Sequence, residues 1–167
     1  MAPSHNVLVV EDDPDQCALL EAGLSQQGYR VSAVRDARTA VHRLALESFD
    51  IVVSDLGLPG MRGDELLRHI RNVDANLPFL MLTGENDVKT AVQAVRDGAD
   101  EYMMKPASVA SVAQHIASAM SRRSKTVADE RKLKNADMAE VRAFLTGVQA
   151  LVNSLEAKDK YTRDHSN

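Results

Sequence analysis

The sequence predicts an α/β protein: a five-stranded, doubly wound parallel sheet followed by a long C-terminal helical extension. Three observations carry this. Five short apolar runs alternate with segments whose apolar residues recur at helical spacing, and strict alternation of strand and helix builds a parallel sheet through right-handed crossovers. The first run is unbroken and rich in Val, as strands covered on both faces are. Beyond about residue 108 the alternation stops, and no further strand signal follows.

Asn6-Val7-Leu8-Val9-Val10 is the first strand. Pro14 suits the first turn of a helix, with Asp13 as its N-cap. Cys17, Leu20 and Leu24 lie on one face of that helix, and Gly28 ends it. Tyr29 to Val34 alternates like a strand. Asp36 can cap a helix carrying Ala40, Val41, Leu44 and Leu46. Asp50 to Ser54 is the third strand, and Asp64 to Val73 a helix with Leu66, Leu67 and Ile70 inward. Pro78 to Leu82 is the fourth strand. Val88 to Arg96 is a helix closed by Gly98, Glu101 to Met104 is the fifth strand, and a last helix starts near Ser108.

From Ser108 to about Lys160 only Gly147 interrupts the helical pattern, a length unsuited to one helix of a compact domain. Met138, Val141, Leu145, Val148, Val152 and Leu155 step by alternating threes and fours, which is a heptad seam. Upstream the same register meets Lys134 and Arg131, and the seam fades. The expectation is a homodimer through this helix; the simpler alternative is packing on the chain's own body.

Charge divides the chain likewise. Residues 1–121 hold ten Lys and Arg against seventeen Asp and Glu, net −7; residues 122–167 hold ten against seven, net +3. A single cysteine excludes an intrachain disulfide, and Cys17 reads as a core residue. No run approaches the ~20 apolar residues of a membrane span, and residues 1–5 lack the pattern of a signal peptide. A soluble, cytoplasmic protein is expected, with no membrane partner. The basic runs around Arg122 and Arg131 read as solvated helix faces, with no helix-turn-helix after them, so direct DNA binding is not expected.

In such sheets ligands sit beyond the carboxyl ends of the strands. There the sequence places Glu11, Asp12 and Asp13 after the first strand, Asp55 after the third, Thr83-Gly84 after the fourth and Lys105-Pro106 after the fifth. Carboxylates gathered unpaired repel one another. A hard divalent cation resolves that, and an all-oxygen donor set suits Mg²⁺. Asp12 and Asp13 alone could do no more than cap the first helix. Together, however, the acid-bound metal, the ammonium, and the hydroxyl with a backbone N–H would hold the three oxygens of a tetrahedral dianion, with Asp55 as the nucleophile.

The stretches VLVVEDD, SDLGLPGMRGDELL, LTG and EYMMKP, with their spacings, resemble the response-regulator receiver (CheY-like) domains of two-component signalling over residues 5–121. The resemblance implies that Asp55 takes a phosphoryl group from a sensor histidine kinase or phosphotransfer protein. It makes Glu11 and Asp12 the acidic pair, Asp12 being the direct Mg²⁺ ligand and Asp13 the alternative, and gives the metal the Gly57 carbonyl. Lys105 would contact the phosphoryl group, Thr83 would move to bond it, and Tyr102 would be the switch aromatic. The Lys105–Pro106 bond would be cis, aiming the ammonium into the crevice. Gly57 and Gly84 stand where the family often has larger residues.

The terminal ALVNSLEAKDKYTRDHSN resembles the opening of HD-GYP cyclic di-GMP phosphodiesterase domains, with His165 at a metal-binding position. The His-Asp pair and Gly-Tyr-Pro segment that name that family do not occur. The expected organisation is a receiver over 5–121, a signalling helix over 122–160, and the start of a downstream output domain over 161–167. Two rival readings stand beside it: an adaptor that only dimerises, and a Mg²⁺-dependent phosphohydrolase. The hydrolase would want a second Asp two residues after the nucleophile, where Gly57 stands.

Overall fold

The computed structural model describes residues 4–84 and 88–164. In chain order the elements are β1 (Asn6–Val10), α1 (Pro14–Gln26), β2 (Arg30–Val34), α2 (Ala37–Leu46), β3 (Ile51–Asp55), α3 (Gly63–Val73), β4 (Phe79–Thr83), α4 (Val88–Arg96), β5 (Glu101–Met104) and α5 (Val109–Asp164). The five strands form one sheet in the order β2-β1-β3-β4-β5, every neighbouring pair parallel. This is the doubly wound sheet with a long C-terminal helix that the alternation predicts.

The period of two along each strand sorts the core into two layers. Leu8, Val10, Val52, Phe79 and Met81 face α2 and α3. Their neighbours Val7, Val9, Ile51, Val53, Leu80 and Leu82 face α1 and the start of α5. Nearly all are fully buried, which explains why β1, β3 and β4 read as continuous apolar runs.

Local signals end the elements where expected. Asp13 caps α1, its side chain accepting from the N–H groups of Asp15 and Gln16, and Pro14 opens the helix. Asp36 caps α2 through the N–H of Thr39. Gly28 and Gly98 take φ of +93° and +97°, the left-handed conformation that closes α1 and α4. Strands β3 and β4 run one residue further than the apolar runs suggested, so Asp55 and Thr83 are the last paired residues of their strands.

Helix α5 passes through Gly147 without a break. The chain divides into two units, Met1–Lys125 and Thr126–Asn167. In the first, Val112, Ile116 and Ala119 of α5 are buried. In the second, every side chain described is exposed, Met138, Val141, Leu145, Val148 and Val152 of the seam among them. The side chain of Leu155, and His165 with its neighbours, lie outside the described residues. No helix is long and apolar enough to cross a membrane among the described residues.

The reading of a solvated face holds for the exposed Arg122 and needs correction for Arg123. Arg123 is largely buried, its Nε 2.5 Å from Asp100 Oδ1, and Arg122 pairs with Glu101. Sequence periodicity could not show this, because both acids lie more than twenty residues upstream.

Candidate functional site

Strand register builds the site. Strand β1 pairs with β2 on one side and β3 on the other, so the crossovers leave in opposite directions and open a crevice at their carboxyl ends. Val10 lies opposite Ser54, which sets Glu11 beside Asp55. Asp55 lies opposite Leu82, one residue before Thr83. Thr83 lies opposite Met104, one residue before Lys105, and the Lys105 N–H donates to the Thr83 carbonyl at 2.7 Å.

Four of the side chains named from the sequence meet. One carboxylate oxygen from each of Glu11, Asp12 and Asp55 lies within 4.8 Å of the others. Lys105 Nζ lies 2.6 Å from Glu11 Oε2 and 3.1 Å from Asp55 Oδ2. Glu11 is 1% exposed and Asp55 9%, so a single ammonium serves two buried carboxylates. The Lys105–Pro106 peptide is cis.

The electrostatics follow from burial. Desolvation pushes the Glu11 carboxyl above its usual value; hydrogen bonds from Lys105 and the Asp13 N–H oppose this, and the Asp55 charge adds to it. Burial alone would lower the Lys105 ammonium. Its hydrogen bonds to Glu11 and Asp55 and their negative charges outweigh that, and its pKa is raised. Lys105 is therefore held as a cation between the two acids. The donor set is all oxygen, partly desolvated and richer in acids than in bases, and it fits a hard divalent cation.

The other predicted residues take distinct places. The Asp13 carboxylate is engaged at the α1 N-terminus, with Oδ1 accepting at 3.0 and 2.9 Å from Asp15 and Gln16. Gly57 is exposed, and its N–H donates to Asp55 Oδ1 at 3.3 Å. A Cβ there would meet nothing within 4 Å. Thr83 is fully buried. Tyr102 packs against the layer containing α2 and α3, with its hydroxyl buried and lacking a hydrogen-bond partner among the described residues.

Arg35 escaped the sequence reading. Its Nε donates to the Asp12 carbonyl at 2.8 Å, fastening the backbone that carries the acidic pair. No local signal marks it, because the contact depends on the pairing of β1 with β2.

Comparison with known proteins bears on all of this. A family model described as the response regulator receiver domain matches residues 7–117. The C4-dicarboxylate transport transcriptional regulatory protein DctD of Rhizobium meliloti is 33% identical over 136 residues, spanning 81% of this chain and 29% of that protein. The two-component response regulator PhoP of Pseudomonas aeruginosa is 40% identical over 100 residues, 60% of this chain and 44% of that protein. The chain thus spans under half the length of these curated relatives.

Two solved structures are similar. One is the receiver domain of a signal transduction histidine kinase from Syntrophus aciditrophicus, with a TM-score of 0.65 and 32% identity over 71% of this chain and 91% of that one. The other is the receiver domain of an HD domain-containing protein from Pseudomonas fluorescens Pf-5, with 0.68 and 27% over 74% and 99%. DctD is named as a transcriptional regulatory protein, which stands against an expectation of no direct DNA binding that would cover an output domain as well.

Proposed function

The chain belongs to the response-regulator receiver family, and from that premise we propose that Asp55 is its phosphoacceptor. A carboxylate oxygen of Asp55 forms the new O–P bond as the P–N bond of a kinase or carrier phosphohistidine breaks. The bonding pair leaves with the imidazole nitrogen. Lys105 holds a negative oxygen of the phosphoryl group, and the Thr83 hydroxyl donates to another. Mg²⁺ held by Asp12, Glu11 and Asp55, with the Gly57 carbonyl, would neutralise charge on the transferring group. Asp13 is committed to its helix cap and serves as the alternative ligand only if that cap opens.

The observation that carries this reading is the placement of Lys105 Nζ within 3.1 Å of Asp55 and 2.6 Å of Glu11. Phosphorylation adds charge and acceptor oxygens at that point. Thr83 and Lys105 follow them, Tyr102 turns with Thr83, and the balance between two states of the domain shifts. The output leaves along α5, whose exposed heptad seam serves as a homodimer interface. Residues 5–121 act as the receiver, 122–160 as the signalling helix and 161–167 as the entry to an output domain.

A cyclic di-GMP phosphodiesterase is the output we favour, supported by the terminal resemblance and by the similar receiver from an HD domain-containing protein. The coding sequence past Asn167 tests it. Codons for a His-Asp pair and a Gly-Tyr-Pro segment support it, and codons for a helix-turn-helix overturn it.

Incubation with Mg²⁺ and acetyl phosphate, followed by intact-mass measurement, tests the phosphoacceptor. One phosphoryl increment is expected, lost in Asp55→Asn and on chelation. Steady turnover of many phosphoesters would support the hydrolase instead, and no labelling would leave an adaptor.

A further inference from the structure

A second cluster of charged groups lies at the opposite end of β5 from Lys105, and it involves none of the residues assigned to phosphoryl chemistry. At its centre is Asp100, 10% exposed at the side chain, immediately before β5. Its Oδ2 accepts from Phe79 N at 2.8 Å and from Arg71 Nη2 at 3.0 Å. Its Oδ1 lies 2.5 Å from Arg123 Nε. Arg71 also donates to the carbonyls of Gly98 and Leu77, at 2.8–2.9 Å and 2.6 Å. Arg123 Nη2 reaches the Gly98 carbonyl at 3.4 Å. Next along the strand, Glu101 pairs with Arg122.

Two features set this cluster apart from a decorative ion pair. Both arginines converge on one carboxylate and one carbonyl in a partly desolvated place, and the buried Arg123 Nε meets Asp100 as an ion pair without a hydrogen bond, a costly arrangement for a cluster that only decorates the surface. And Arg123 is the last side chain of α5 that is not fully exposed among the described residues. The cluster therefore sits where α5 gives up its last burial in the first unit.

Strand β5 joins the two ends. From Asp100 to Lys105 it spans ~17 Å of extended backbone, laddered to β4 from Leu80 through Thr83. Asp100 is bound to Phe79, the first residue of β4, through both its backbone N–H and its carboxylate. Lys105 is bound to Thr83, the last residue of β4. The Thr83–Lys105 end and Asp100 are thus joined by a continuous hydrogen-bonded strand along which a displacement would travel.

We propose that the Asp100–Arg123 pair is the coupling latch by which movement of β5 reaches the helical extension, with Arg71 holding Asp100 in place. Arg123 is then a positioning residue for output and takes no part in phosphoryl transfer. The proposal rests on the receiver reading and deepens it by naming where the signal leaves the domain.

Hydrogen–deuterium exchange of the full chain, with and without acetyl phosphate and Mg²⁺, tests it alongside intact mass. In the wild type, labelling should alter amide exchange within residues 126–150 severalfold. In Arg123→Ala, Asp55 should label at the wild-type rate while that response disappears, and Arg123→Lys should restore part of it. Arg122→Ala, which leaves the Asp100 pair intact, should keep most of the response. An Arg123→Ala protein that labels normally and responds as the wild type does overturns the latch. So does a wild-type extension that ignores labelling. Failure of Asp55 to label defeats the receiver reading and the latch with it, and the mass measurement distinguishes that case from the others.

Discussion

Lys105 Nζ lies 2.6 Å from Glu11 Oε2, although 94 positions separate the two residues. The same ammonium is 3.1 Å from Asp55. It offsets one of the three carboxylate charges that Glu11, Asp12 and Asp55 bring together. Lys105→Met should slow labelling by acetyl phosphate on the order of a hundredfold, the usual cost of removing one preorganised charge donor. It should also tighten Mg²⁺ binding, since a cation competing for the same carboxylates is gone. Labelling kinetics and calorimetric titration check the two effects, and an unchanged rate would remove Lys105 from the mechanism.

Asp12 and Asp13 separate cleanly. Asp12→Asn should abolish measurable Mg²⁺ binding with little change in folding stability. Asp13→Ala should retain the binding and cost about 1 kcal/mol through the lost helix cap. Calorimetry and denaturant unfolding of both variants decide the matter, and the reverse pattern would make Asp13 the ligand.

Two glycines near Asp55 should behave oppositely. A Cβ at Gly63 would collide with the Asp55 carbonyl oxygen, whereas one at Gly57 would meet nothing within 4 Å. Gly63→Ala should destabilise the protein by at least ~2 kcal/mol and slow labelling, because the backbone of the acceptor must shift. Gly57→Ala should fold as the wild type does. Thermal unfolding with mass-detected labelling measures both.

Asp36 gives a dependence on pH. Hydrogen bonds from the Thr39 N–H and hydroxyl hold its carboxyl below its ordinary 3.8. The unfolded chain therefore takes up this proton more readily than the folded one. The stabilisation is complete above 3.8 and disappears as pH falls through the depressed value. Asp36→Asn should lower stability by about 0.5 kcal/mol near neutrality and converge on the wild type in acid. A constant difference across that range would mean that the charge contributes nothing.

The exposed seam should drive association. Leu145→Asp sets a carboxylate among apolar positions of α5 and should convert a dimer to a monomer in sedimentation equilibrium, without affecting labelling at Asp55. A wild-type monomer at high concentration would show that the seam has no partner copy.

Much of this protein was legible along the chain because the relevant physics is local. Short apolar runs set between segments of helical periodicity marked five strands, Asp13, Pro14, Gly28, Asp36 and Gly98 marked helix ends through caps and left-handed turns, and strand-end acids announced a crevice. Which acids share that crevice was a matter of register. Pairing of β1 with β3 sets Glu11 against Asp55, which nothing in the run Glu11-Asp12-Asp13 shows, whereas Pro14 already marked Asp13 as the cap of α1. The hold of Arg35 on Asp12 and the convergence of Arg71 and Arg123 on Asp100 were invisible for the same reason. Hydrophobic periodicity records only whether a position faces the core or the solvent, whereas an ion pair between distant residues depends on how separate elements are brought together, and that is decided when the sheet closes and the helices dock upon it.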